Sequence, residues 1–262
     1  MRLGECMFNF RFDKRIVYAI IAIMVLTTVL QYATTQGALM GLVLTIPGVL
    51  IAITFHEFAH AFVADKLGDD TPRRQGRLSL NPFDHLDPIG SLLLLVAGFG
   101  WGKPVEVNPR NYNRKMSMEK GEALVSIAGP LMNFILAIAF TIITCIVINA
   151  TNSRVIFWGN DMMLMASSQT AEIAIKILVY AVSINVGLGI FNLIPLPPLD
   201  GSKVIMPFLP SKAKQFFKQN EMIFYIIFVA LWLTGLAGTI ISPIINFLDA
   251  NLLKFGLSIF GL

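Results

Sequence analysis

Between Ile16 and Ala64 the chain carries a single formally charged residue, Glu57. That run is about twice the ~20 apolar residues that cross a bilayer, so it has to double back on itself. The polar, turn-forming patch Thr34-Thr35-Gln36-Gly37 supplies the break. Three more uncharged runs follow, from Ala123 to Ser153, Ile177 to Leu199 and Met222 to Leu248. The stretch from Ile89 to Gly98 is apolar but too short to cross, and reads as a re-entrant or buried segment.

Composition agrees. Of 262 residues 55% are hydrophobic and 14% charged, and the mean hydropathy is +0.70, too little charge for an ordinary water-facing surface. Disorder is excluded by the wealth of aliphatic and aromatic side chains. A net charge of +4 without a basic stripe argues against nucleic acid as a partner. Two cysteines, Cys6 and Cys145, make no disulfide framework. The expected fold is an all-α polytopic membrane domain over residues 1–262, with five to six transmembrane helices and a short re-entrant or β-hairpin element. Residues 242–262 are open between a sixth span and an interfacial helix.

Lysine and arginine set the expected threading. Basic clusters at Arg2–Arg15, Lys66–Arg77, Lys103–Lys120 and Lys203–Lys218 fall on one side if the 89–98 segment does not cross. The excess places them, and the N-terminus, in the cytoplasm of a multi-pass cell-membrane protein.

The second expected span ends in Phe55-His56-Glu57-Phe58-Ala59-His60. Residues four apart share a helix face, so both imidazoles reach one metal ion. Glu57 is turned aside from that face and is free to act on a water as general base. Charge inside an apolar span is costly and marks function. Two histidines are one ligand short, and the candidates for the third are His85 and a carboxylate, with Asp200 favoured. Asp200 closes Asn192-Leu-Ile-Pro-Leu-Pro-Pro-Leu-Asp-Gly201, where Pro195, Pro197 and Pro198 stop the helix and leave irregular backbone that can bend toward a metal. Asn192 is a further candidate for substrate or transition-state contact, beside the plainer reading that it caps its own helix.

These motifs resemble the site-2 protease family of intramembrane zinc metalloproteases. The likeness runs from about Leu50 to Gly201 and takes in the H-E-x-x-H helix at 56–60, Gly129-Pro-Leu-Met-Asn133 and the Asn192–Gly201 segment. It also takes in Leu80-Asn-Pro-Phe-Asp-His85-Leu-Asp-Pro-Ile-Gly90 and Gly100-Trp-Gly-Lys-Pro-Val105, which look like the compact prokaryotic branch. The resemblance implies one zinc ion per chain held by His56, His60 and Asp200, with Glu57 as base and Asn133 near the site in substrate handling or transition-state support. His85 is open between an alternative ligand, an outer partner of the site and a loop histidine bonded to Asp84 or Asp87. The implied activity is hydrolysis of peptide bonds within or near the spanning segments of membrane-protein substrates in the lipid bilayer. No PDZ-like insertion or C-terminal nucleotide-sensing module stands among the motifs.

A spanning substrate has its carbonyls locked in helical hydrogen bonds, so something must hold it extended. The strand formers of Phe99–Val107, interleaved with Gly and Pro, suggest an edge strand or hairpin for that purpose. Two rival readings make different demands on the sequence. A transporter predicts ionisable groups along a whole path and internal symmetry, whereas here they gather at one depth without a repeat. An inactive scaffold predicts the loss of the base or a ligand, and all are present.

Overall fold

The computed structural model describes residues 37–91 and 102–261 apart from Arg114 and Asn160, and before them only Leu26, Leu30, Thr34 and Thr35. The first expected span and most of the short 89–98 run therefore lie outside the described residues. Gly37, at φ +81, opens helix α1 (Ala38–Lys66), which closes on Gly68 at φ +105. Two short helical turns follow, α2 (Thr71–Arg74) and α3 (Pro82–His85). Ser117 caps α4 (Met118–Ala150) by accepting from the Lys120 amide. Strands β1 (Arg154–Trp158) and β2 (Asp161–Met165) pair antiparallel, with Trp158 opposite Asp161. Ser168 caps α5 (Gln169–Leu193), and the proline-rich stretch after it leads into α6 (Asp200–Ile205). Helices α7 (Ser211–Gln219), α8 (Glu221–Leu233) and α9 (Leu236–Ile259) complete the chain.

Among the described residues, α1, α4, α5 and α9 are long and apolar enough to cross a membrane. Their polarity is inverted relative to a water-soluble bundle. Helix α4 buries Ser126, Asn133, Thr141 and Thr144 while Ile135, Ile138, Ile142 and Ile146 face outward. Thr141 and Thr144 return their hydroxyls to the carbonyls of Ala137 and Phe140, so neither is left unpaired. With no hydrophobic drive between helices in lipid, close backbone approach holds the bundle together. A Cβ on Gly48 of α1 would lie 2.9 Å from the Ala181 Cα of α5, which only glycine permits.

The expected hairpin element is present, and one expected span takes a different chain path. Among the described residues the hairpin stands at 154–165. Its Val155, Phe157 and Leu164 pack onto Cys145, Ile148, Ile175 and Leu257, and Ile156, Met163 and Met165 are exposed, so alternation of faces holds it there. Of the 99–107 stretch, residues 102–107 are described, and they form one isolated bridge, Gly102 with Leu86. The run from Met222 to Leu248 is not one span. Gly235, at φ +74, separates α8 from α9, so residues 242–259 continue a helix begun at Leu236.

One end of the bundle gathers three of the four basic clusters. The Asn113 amide donates to Leu67 O, and Lys214 of α7 pairs with Glu119 at the start of α4. At the other end Lys254 donates to Gly159 O in the hairpin turn.

Candidate metal centre

At the basic end, α1 presents His56 and His60 on one face, and α6 brings Asp200 against them. The two Nε2 atoms are 3.1 Å apart, and each lies 3.2 Å from Asp200 Oδ2. Among the described residues no other set of three histidine, cysteine or acidic groups clusters in this way. The other nitrogen of each ring is already engaged. His56 Nδ1 is 2.7 Å from Asn133 Oδ1, and His60 Nδ1 is 2.7 Å from Val125 O. Both partners are acceptors, so each Nδ1 carries a hydrogen, and in the neutral ring Nε2 is then the atom that presents a lone pair.

Two imidazole nitrogens and a carboxylate oxygen thus converge on one point, a donor set that suits a cation. The spacing suits zinc. Ligand atoms at 2.0–2.1 Å around a tetrahedral ion are about 3.3 Å apart. Three protein donors leave the fourth position for water or substrate. Gly129 of α4 keeps the space clear: a Cβ there would stand 2.5 Å from His60 Nε2 and 2.7 Å from His56 Nε2. Gly129→Ala is therefore expected to lower zinc affinity by at least the ~10–100-fold typical of changes around a metal site. Zinc content after dialysis against a graded chelator series measures this, and wild-type retention would contradict it.

Glu57 is half-buried, and its Oε2 accepts from the Val105 amide at 3.1 Å. The segment that brings Val105 there is fastened at both ends. Lys103 N donates to His85 O at 2.7 Å, and Asn108 N donates to Asp69 Oδ2 at 2.6 Å. Asp69 is fully buried, and its other oxygen accepts from Thr71 and from Asn111 Nδ2. Beneath the segment, Gly102 lies against Ile53, the His85 carbonyl and the Glu57 stem. Tyr112 packs over Gly121, and burial pushes its phenol above the usual tyrosine range.

The remaining sequence candidates lie as follows. Asn133 is in the site but points at His56, and both its amide hydrogens are engaged, by Ala52 O and Asn185 Oδ1. His85 is fully buried outside the cluster; its Nε2 donates to Ser79 O at 2.7 Å, in place of the expected Asp84 or Asp87. Asn192 donates to Leu188 O one turn earlier, the helix-capping alternative. Sequence reasoning missed Asn185, a fully buried amide in an apolar run, although an amide in a span needs a partner and so signals one. It also missed the Val105 amide, which no side chain announces.

The chain matches the model of Peptidase family M50 over residues 105–235. "Putative zinc metalloprotease YwhC" of Bacillus subtilis (strain 168) is 38% identical over 212 residues, which cover 80% of this chain and 90% of that one. The chain belongs to peptidase family M50. "Putative zinc metalloprotease Rip2" of Mycolicibacterium smegmatis is 28% identical over 195 residues, 73% of this chain and 67% of the relative. Its namesake in Mycobacterium tuberculosis strain H37Rv is 28% identical over 201 residues, 74% and 69%. No solved structure matches. This M50 protein is a multi-pass, zinc-dependent peptidase of the site-2 protease family. The family match holds Asp200 but begins after the H-E-x-x-H helix, so it is the fold that joins the two halves of the site.

Proposed function

We propose that this M50 peptidase hydrolyses peptide bonds within or beside the spanning segments of membrane-protein substrates, using Glu57 as general base and His56, His60 and Asp200 as zinc ligands. The observation that carries the reading is the convergence of two lone-pair imidazole nitrogens and a carboxylate between helices that are themselves apolar spans. The chemistry zinc supplies when held there is Lewis acidity, which lowers the pKa of a water toward ~7 and polarises a peptide carbonyl. Glu57 takes the proton of the attacking water on its carboxylate and passes it to the departing amine. The Val105 amide orients that carboxylate without using its second oxygen. Asn133 and Val125 O keep the histidine ring hydrogens away from the metal side.

The fastened segment beginning at Gly102 runs past Glu57, which supports a role for it in pairing with unwound substrate backbone. The basic clusters around the site end favour a cytoplasmic placement of that end. Full-length zinc-loaded protein in lipid vesicles, offered single-span substrates, tests the reading. Mass spectrometry of the products is expected to place the cut inside or next to the span, with loss on chelation and recovery with zinc. Products cut only in water-soluble regions far from the span would overturn it.

A further inference from the structure

Behind His56 stand two amides whose polarity is set from the far end. Asn185 Nδ2 donates to Ala181 O at 2.8 Å, and a carbonyl only accepts, so Asn185 Oδ1 must face Asn133. Asn133 Nδ2 donates to that oxygen at 3.0 Å and to Ala52 O at 3.1 Å. Its own oxygen is thereby turned to His56 Nδ1, 2.7 Å away. Turning Asn133 over would set its oxygen against two acceptors and its NH2 against the imidazole N–H. Asn133 and Asn185 are fully buried, so water has no access to replace a lost partner. The two histidines differ in this respect: His60 is held by main chain, His56 by side chains alone.

We propose that Asn185 is a positioning residue which, through Asn133, fixes His56 as the Nδ1–H tautomer and keeps its Nε2 lone pair toward the metal. The proposal rests on the reading of His56 as a zinc ligand. Without Asn185 Oδ1, one Asn133 hydrogen is orphaned and the amide is held at Ala52 O alone. Both His56 tautomers then become accessible, and the Nε2–H form does not ligate through that atom. Three helices meet in the relay: α1 gives Ala52 and His56, α4 gives Asn133, and α5 gives Asn185.

The test compares full-length wild type, Asn185→Leu, Asn185→Asp and Ser183→Ala in detergent, each loaded with zinc. Zinc transfer to a chelator is followed, together with 15N spectra of the imidazoles, of which the chain has 3. Asn185→Leu deletes the acceptor, and its zinc is expected to be held ~10–100-fold more weakly. The His56 Nδ1–H signal is expected to weaken in step. Asn185→Asp keeps an oxygen toward Asn133 and is expected to restore most of the retention. Ser183→Ala removes a different α5 hydrogen bond, to Asp249 at 2.5 Å, and is expected to behave as wild type. Should Asn185→Leu not fold, Asn185→Ala carries the same expectation. Wild-type zinc retention in the acceptor-deleted variant overturns the proposal, as does equal loss in Ser183→Ala. His56→Ala separates the two levels. If it holds zinc like wild type, the ligand reading fails; if it loses zinc while Asn185→Leu does not, only the positioning role fails.

Discussion

Glu57→Gln is expected to bind one zinc per chain and to cleave ~10²–10⁴-fold more slowly than wild type, the span associated with losing a general base. The substitution is nearly isosteric and keeps an oxygen for the Val105 amide, which sits 3.1 Å from Glu57 Oε2. The fastened segment therefore stays in place, and none of the three converging donor atoms is touched. What is lost is the capacity to take a proton at neutral pH, since an amide has no useful basicity there. Zinc analysis of the purified protein and product mapping on the same sample separate loading from chemistry. A loaded variant cutting at the wild-type rate would remove Glu57 from the mechanism.

Asp200→Ala is expected to have the opposite signature, with zinc itself lost. Asp200 Oδ2 stands 3.2 Å from both imidazole nitrogens and is the one anionic member of the cluster. Removing it leaves two neutral donors, so the loss of affinity is expected to exceed the ~10–100-fold of changes made behind the ligands. The main chain around it depends little on the carboxylate. Leu199 makes the turn into α6, and Gly201 backs onto the Leu193 and Ile194 carbonyls at the end of α5. A folded variant without zinc is thus the expected product, read by metal content and by circular dichroism. Stoichiometric zinc in Asp200→Ala would move the third donor elsewhere. His85, the other sequence candidate, has its Nε2 turned to Ser79 O.

The histidine pair was legible because four-residue spacing on a helix is a local rule that needs no tertiary information. Asp200 was legible more faintly: prolines end a helix predictably, but where the freed backbone turns depends on what it packs against. Hydropathy located the runs that became α1, α4 and α5, yet it was blind to the break at Gly235, where one glycine divides an uninterrupted apolar stretch. The hairpin shows the same limit, since strand pairing is settled by which face finds a core, here Cys145, Ile148, Ile175 and Leu257. The family resemblance puts Asn133 near the site, but the direction its amide points follows from Ala52 and Asn185 on two other helices. Gly129 stood in that motif too, and its reason, the space beside both imidazoles, belongs to three dimensions alone.

The donors that converge at the centre come from chain positions separated by as many as 144 residues. An ion shared among them is therefore a cross-link closing most of the molecule into a loop. Metal supply then enters the folding equilibrium directly, adding about 2.7 kcal/mol when free zinc is about a hundred times its Kd. How much intact protease a membrane holds is to that extent a function of the zinc available while the chain is being inserted.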